Sequence, residues 1–347
     1  MKYHALGQTG LYVSEITLGT MTFADEASDF GKILGGTGQK LADRMVGLSL
    51  DAGVNFFDSA NVYAFGESET MLGKALGDRR KDVVVATKFF NPFGKGPNDL
   101  GGSRLAIHRE LEASLARLNT DWIDLYQIHS FDTTTPLEET LRALDDVVRQ
   151  GKVRYIGLSN FAAWQIAKAD GLARQLGTTR FCSAQVYYSL VGRDLEQDIL
   201  PCVRDLGLGT MIWSPLAGGF LTGKYRRDGA GEGRRKAFSF PPVSDRGYDV
   251  IDALDAIAKA HDASIPQIAL AWLRYQEGVT TTIIGATKES QLVANLASVK
   301  VELSAEELKR LDEVSAVPPL YPHWFPAMKR GEDMFSRLAN LSDGGAK

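Results

Sequence analysis

Four side chains able to hold or move a proton stand at the ends of three apolar runs. Residues 54–57 end in Asp58, and Tyr63 follows five positions later. Residues 83–87 run into Lys88, and residues 122–128 run into His129. Runs of this length read as buried strands. An acid, an amine and an imidazole therefore fall at the tips of successive strands, with a phenol on the loop beyond the first. A free phenol has a pKa near ~10, which makes it a poor base and a slow acid at neutral pH. An adjacent ammonium stabilises the phenolate and is expected to pull that pKa toward the working range. Lys88 is the candidate ammonium. Asp58 would keep it charged and oriented, and His129 would position a carbonyl oxygen next to Tyr63. The set suits protonation of a carbonyl oxygen as hydride reaches its carbon. Singly, each residue has an ordinary reading: a helix cap, a solvated surface charge, a structural histidine. The joint placement at strand ends carries the argument.

The elements that must deliver these tips alternate regularly. Residues 2–14, around Gly7-Gln8-Thr9-Gly10, read as an N-terminal hairpin, and residues 15–21 as a first core strand. Strands are expected at residues 54–57, 83–87, 122–128, 153–158, 181–186, 209–213 and 280–284. Helices are expected at residues 41–52, 67–76, 103–118, 136–150, 161–176, 195–206, 247–260, 265–276 and 290–297, with Ser103 as an N-cap. Residues 24–39 are rich in Gly, Asp and Ser and read as a long loop. Their Gly35-Gly36-Thr37-Gly38 has no lysine in the phosphate-loop position and no strand before it, so it is not a phosphate loop. Eight strands, each followed by helix, predict a (β/α)8 TIM barrel: one domain over 1–347, with the barrel at about 15–300 and an additional C-terminal helix and tail at about 301–347. A doubly wound sheet would show Gly-x-Gly-x-x-Gly after its first strand, and none occurs there. In such barrels the site lies at the C-terminal strand ends, where Asp58, Lys88 and His129 fall.

Bulk properties narrow the class. The 347 residues are 44% hydrophobic and 24% charged, enough for a large core. A net charge of -4 and a pI of about 5.8 give no footprint for nucleic acid or an anionic membrane. Cys182 and Cys202, the only cysteines, make neither a metal-ligand pair nor a disulfide scaffold, and no metal site is expected. The N-terminus lacks the apolar core of a signal peptide, and no stretch reaches the ~18 apolar residues of a spanning helix. A cytoplasmic protein is expected.

The motifs resemble those of the aldo-keto reductases over nearly the whole chain, from Leu6-Gly7 to about Val314. They are Phe57-Asp58-Ser59-Ala60 with Tyr63 and Gly66-Glu67-Ser68-Glu69, then Ala86-Thr87-Lys88 and Gln127-Ile128-His129. Gly157-Leu158-Ser159-Asn160, Gln185, Trp213-Ser214-Pro215-Leu216, Gly223-Lys224-Tyr225 and Ile284-Gly285-Ala286 complete the series. The resemblance is nearest to the bacterial aryl-alcohol dehydrogenase-like and potassium-channel β-subunit-like branch. It implies a tetrad of Asp58, Tyr63, Lys88 and His129, with Tyr63 as proton donor. It also implies a nicotinamide cofactor site. Ser159, Asn160 and Gln185 would hold the nicotinamide amide, and Trp213 would stack on the ring, the alternative being a core tryptophan. Ser214, Leu216, Gly218 and Lys224 would line the pyrophosphate, and Gly285, Thr287, Gln291 and Asn295 the adenosine end. Gly19, Thr20, Met21, Asp58 and Pro215 complete the implied cofactor set. Many family members carry a basic residue where Thr287 stands. Lys288, or Arg234 and Arg235 in the basic loop, would substitute for it unless they are simply solvated. NADP(H) is the preferred cofactor on this reading, with NAD(H) possible.

Substrate signals are fewer. Phe23, Phe65, Phe89 and Phe90, with Tyr63 and His129, would form an aromatic pocket for an aryl or otherwise apolar carbonyl compound or its alcohol. The loop at residues 91–102 and the aromatic tail at residues 321–325 would close over the mouth; alternatively the tail packs on the barrel wall or on another subunit. Monomer and homo-oligomer both stay open. The rival reading is a redox-sensing regulatory subunit like the potassium-channel β subunits, which generally have Asn where this chain has His129. A third is an enzyme working mainly as an alcohol or sugar dehydrogenase.

Overall fold

A computed structural model describes residues 1–225, 227, 241, 242 and 244–325. Strands β1 (Tyr3–Ala5) and β2 (Tyr12–Ser14) pair antiparallel as the expected hairpin. Eight parallel strands then close into a barrel: β3 (Ile16–Gly19), β4 (Phe56–Asp58), β5 (Val84–Phe89), β6 (Ile123–Ile128), β7 (Val153–Ser159), β8 (Ser183–Tyr187), β9 (Gly209–Trp213) and β10 (Thr281–Ile284), with β10 returning to β3. Around it run α2 (Gly38–Asp51), α3 (Glu67–Leu76), α4 (Arg104–Leu118), α5 (Leu137–Arg149), α6 (Ala163–Leu176), α7 (Ile199–Asp205), α9 (Ile265–Arg274) and α10 (Glu289–Ala297). Two further helices, α8 (Arg246–Ala260) and α11 (Ala305–Ser315), pack on each other, and α8 also packs on α9. The chain is therefore a TIM barrel with an N-terminal hairpin and an extra C-terminal helix.

Residues 24–39, expected to be loop, contain the short helix α1 (Asp29–Leu34) and the start of α2. Ser28 caps α1 by accepting from the Gly31 amide at 2.9 Å, and Gly35 ends it in the left-handed region at φ 80°. A serine three residues before a glycine amide and a terminal glycine are cap chemistry, read in the sequence only as loop composition. Ser103 caps α4 as expected, accepting from Ala106 at 3.2 Å.

Strand alternation divides the apolar residues into two layers. Outward residues such as Leu18, Phe57, Val85, Phe89 and Tyr126 join the main core beneath the helices. Inward residues Phe56, Val84, Leu125, Met211 and Ile283 form a second cluster, closed from below by hairpin residues Leu6 and Val13, both fully buried. Each fully buried large apolar side chain stabilises the fold by ~1.5–3 kcal/mol relative to exposure. Further along β4, β5, β6 and β8, the inward positions turn polar.

Candidate active site

The polar layer is built by one rule applied to several strands. Two positions beyond Phe56, Ala86, Leu125, Ser183 and Met211 come Asp58, Lys88, Gln127, Gln185 and Trp213, all on the same barrel face. Strand β7 adds Ser159 two residues after Gly157. Gly157 is needed there: a Cβ would lie 2.6 Å from Ser183 Oγ and 3.0 Å from Gln127 Cγ.

Lys88 is fully buried and donates three ways: to Asp58 Oδ2 at 2.6 Å, to the Ser59 carbonyl at 2.7 Å and to the Tyr63 oxygen at 3.4 Å. An ammonium has three donors and no acceptor, so its capacity is filled. Because Lys88 donates to the phenol oxygen, the Tyr63 hydroxyl proton is left to point elsewhere. Asp58, itself buried, uses its other oxygen to accept from Gln127 Nε2 at 3.0 Å and Gln185 Nε2 at 2.9 Å. A buried ion pair is tolerable only when its remaining hydrogen bonds are satisfied, and these amides satisfy them. His129 stands edge-on to Tyr63, with ring centres 6.0 Å apart. The structure thus brings all four expected tetrad residues together.

Proton affinities follow from this packing. Burial acts to lower Lys88, but the Asp58 carboxylate and the Tyr63 phenol outweigh it and hold the ammonium above its ordinary value. Burial pushes Tyr63 up, Lys88 pulls it down and Asp58 pushes it up again; the net is above an ordinary phenol. The expectation that lysine alone would draw the phenol toward neutrality is corrected: desolvation and the lysine's own counter-ion offset its pull. Burial, and then the Lys88 charge, push His129 down to about 3, so its imidazole is neutral at physiological pH. The free protein therefore holds a protonated phenol, an ammonium and a neutral imidazole around one opening.

The expected nicotinamide pocket matches a carboxamide in its donor inventory. Gln185 spends Nε2 on Asp58 and on Gln127 Oε1 (3.3 Å), leaving Oε1 as an acceptor. Ser159 donates to the Gln185 carbonyl at 3.0 Å and keeps acceptor capacity. Asn160 accepts from Trp213 Nε1 at 3.1 Å and donates to the His129 carbonyl at 3.0 Å, with one N–H left over. Two acceptors and one donor complement an amide NH2 and C=O. The Trp213 indole, pinned by Asn160, packs on Tyr187 with centres 5.2 Å apart. Beyond it, Ser214 (φ 51°), Ala217 (φ 51°), Gly218 (φ 63°) and Gly219 (φ 92°) are left-handed. Backbone of this kind forms concavities that bind anions. A Cβ at Gly219 or at Gly285 would meet nothing within 4 Å, so the chain faces open space at both places. These residues fit a dinucleotide.

Other expected cofactor residues are placed as follows. Gly19 lies on β3 beside Asp58, and a Cβ there would come within 2.7 Å of Ile283. The Thr20 hydroxyl is buried against Ser68 at 2.7 Å rather than turned to the groove. Met21 and Leu216 are half-buried, Pro215 is buried and Lys224 is exposed. Gln291 Oε1 accepts from Thr287 N (2.9 Å) and Oγ1 (3.2 Å), and Asn295 reaches the Gly285 carbonyl at 3.5 Å. Lys288 is the exposed N-cap position of α10. Arg234 and Arg235 lie outside the described residues. Among those described, no group of His, Cys, Asp and Glu is arranged to hold a metal.

Two pocket residues are corrected. Phe89 follows inward Lys88, so it faces out and packs on Tyr126 with ring centres 4.7 Å apart. Phe23 is drawn back by the turn closed by its amide to Thr20 and is fully buried in the outer core. Phe90 is half-buried and Phe65 largely exposed. The tail is fixed to the segment before α7: Gln197 donates to the Pro318 carbonyl at 3.1 Å and accepts from Leu320 N at 2.5 Å. Tyr321, Trp324 and Phe325 pack on one another. Sequence reasoning gave no role to Gln127, although its position two before His129 on a strand puts both on one face. It also missed Asn91, for which loop sequence carries no signal.

Comparison with known proteins identifies the family. The family model for the Aldo/keto reductase family matches residues 15–316. An uncharacterized oxidoreductase of Bacillus subtilis, YrpG, is 38% identical over 329 residues, spanning 92% of this chain and 97% of the relative. A probable voltage-gated potassium channel subunit beta of rice, Oryza sativa subsp. japonica, is 37% identical, spanning 92% of this chain and 98% of the relative. A putative subunit of the same kind from Schizosaccharomyces pombe is 36% identical, spanning 92% and 94%. With the closed barrel and a family match over nearly its full length, the chain belongs to the aldo/keto reductase family and is, by class, an NAD(P)H-dependent oxidoreductase.

Proposed function

We propose that the protein reversibly reduces an aldehyde or ketone to the alcohol, with Tyr63 as proton donor. The observation that carries this reading is the Lys88 ammonium, seated between Asp58 (2.6 Å) and the Tyr63 oxygen (3.4 Å), with a neutral His129 beside the phenol. A bound reduced nicotinamide supplies hydride to the carbonyl carbon. The chain's own residues do the rest. Ser159, Asn160 and Gln185 hold the carboxamide, and Trp213 offers a flat face to the ring. Tyr63 passes its proton to the carbonyl oxygen as charge develops there. Lys88 stabilises the phenolate left behind, and Asp58 keeps Lys88 charged and aimed. The His129 ring offers a second hydrogen bond to the same oxygen. In the oxidative direction the phenolate takes the proton back.

Half-buried Phe90 and exposed Phe65, with Trp213 and Tyr187 at the same strand ends, support an apolar or aryl substrate. Exposed Lys288 at the start of α10 supports a preference for NADP(H) with NAD(H) accepted. A soluble role in a reducing compartment agrees with two free cysteines and with the absence, among the described residues, of a helix long and apolar enough to cross a membrane.

The test is NADPH consumption against a panel of aryl aldehydes, small dicarbonyls, aliphatic aldehydes and bulky ketones. Turnover is expected in the wild type. Tyr63→Phe is expected to lose ~100-fold or more in kcat, the scale of a general-acid contribution, while still binding NADPH. Tight cofactor binding with no turnover in either direction would sink the reductase reading and support a regulatory role like that named for the channel-subunit relatives.

A further inference from the structure

The loop after β5 is braced from within and from without. Its ends are tied together by Gly101 N donating to the Phe90 carbonyl at 2.8 Å, which makes residues 91–100 a closed Ω-type loop. Inside it, Asp99 accepts from Gly96 N at 2.7 Å, and Phe93 N donates to the Asp99 carbonyl at 3.0 Å. From outside, Arg109 pairs with Asp99 at 3.1 Å and donates to the Asn98 carbonyl at 2.7 Å, and Arg117 lies over the Phe93 ring. Asp132 holds the far end through Gly102 N at 2.7 Å. A loop anchored on four sides is a fixed support.

What it supports is Asn91. The residue before it, Phe90, is held at φ 118°, a conformation that costs a non-glycine residue free energy and is retained where the surroundings enforce it. The chain leaves this strained turn with the Asn91 amide nitrogen 3.2 Å from His129 Nδ1. With its amide nitrogen turned to the ring, Asn91 can only donate, and a donor at that place is matched by a lone pair on Nδ1. A neutral ring with a lone pair on Nδ1 carries its one proton on Nε2. The backbone of His129 is fixed as well, its N–H by the Phe89 carbonyl at 3.0 Å and its C=O by Asn160 at 3.0 Å. Neither backbone bond selects a tautomer; the Asn91 contact does.

We propose that Asn91 is a positioning residue that locks His129 in its Nε2–H tautomer, so that the ring meets the substrate oxygen as a hydrogen-bond donor rather than as an acceptor. The opposite tautomer would set a lone pair against the carbonyl oxygen and repel the developing charge. The titratable groups beside the ring are Lys88 and Tyr63, one cationic and one neutral at physiological pH, and neither offers Nδ1 an alternative partner. This inference rests on the reductase reading for its consequence, and for the tautomer on the Asn91 amide nitrogen facing Nδ1 of a neutral ring.

The experiment is nitrogen NMR of histidine-labelled protein, with and without NADPH, the His129 signals being identified by their loss in His129→Asn. The wild type is expected to show an unprotonated Nδ1 and a protonated Nε2. Asn91→Asp replaces the donor with an acceptor and is expected to reverse the pair, or to charge the ring at higher pH. With that, kcat falls ~100-fold, the scale of losing one oriented donor at an oxyanion, with NADPH affinity unchanged. Asn91→Ala guards against a misfolded Asp variant: it is expected to mix the tautomers and lower kcat by a smaller factor. A protonated Nδ1 in the wild type, or unchanged tautomer and kcat in both folded variants, would overturn the proposal. Failure of the wild type to reduce any carbonyl would overturn the reductase reading instead and leave the tautomer result standing.

Discussion

The lower and upper halves of the barrel interior are made by one closed sheet, yet they treat burial in opposite ways. Below, Phe56, Val84, Leu125, Met211 and Ile283 meet Leu6 and Val13 of the hairpin in an apolar cluster, with the buried Thr17 and Thr281 hydroxyls paired to each other between β3 and β10. Above, Asp58, Lys88, Gln127 and Gln185 are as deeply buried but polar, and they are joined by hydrogen bonds from the Lys88 ammonium and the two amides to the Asp58 carboxylate. The apolar layer stabilises the fold through area. The polar layer costs desolvation and recovers it only through complete hydrogen bonding, which fixes the orientation of each group. Stability and positioning are thus assigned to separate layers of one closed sheet.

Lys88→Met puts the largest strain on that division. Removing one partner of a buried pair leaves Asp58 uncompensated and is expected to cost ~3–5 kcal/mol of stability as well as turnover. Adding Asp58→Asn should return most of the stability and none of the activity, measured by denaturant unfolding and by initial rates. Equal stability for wild type and Lys88→Met would mean that the upper layer is not tightly held. Met211→Ala probes the lower layer: a cavity in packed apolar surroundings is expected to cost ~2–5 kcal/mol and leave kcat at room temperature unchanged. A large fall in kcat there would show that the layers are coupled.

The finest distinction is in pH. Burial and the Lys88 charge hold His129 at about 3, below its ordinary value of ~6.5. The unfolded chain therefore binds more protons between those values, so this contribution to stability is complete above ~6.5 and is lost as pH falls toward 3. Stability of the wild type should fall more steeply across that window than that of His129→Asn. The kcat profile should show no inflection from His129 near neutrality, and one that vanished in His129→Asn would contradict a neutral ring.

Legibility in the sequence followed physical scale. The barrel could be read because eight apolar runs and intervening helical patterns are local signals, and each tip residue announces itself by ending an apolar run. Phe89 was misplaced for want of strict alternation: if Lys88 points in, its neighbour must point out. Helix α1 was missed because its caps sit in a polar, glycine-rich stretch whose composition resembles loop. Asn91 and the downward pull on His129 depend on contacts between residues 38 or more positions apart, which no local window contains. The net upward shift of Tyr63 needed three opposing influences weighed together, and a sequence names the groups without their distances.

The hairpin beneath the barrel gives the interior a single door. Among the described residues, Leu6 and Val13 seal the bottom, which leaves the rim as the way for solvent toward Lys88. Any molecule seated at the rim consequently acts as a stopper for the vessel below. Traffic of water and exchangeable hydrogen at the ion pair is then governed by residence at the top, whatever the occupant's chemistry.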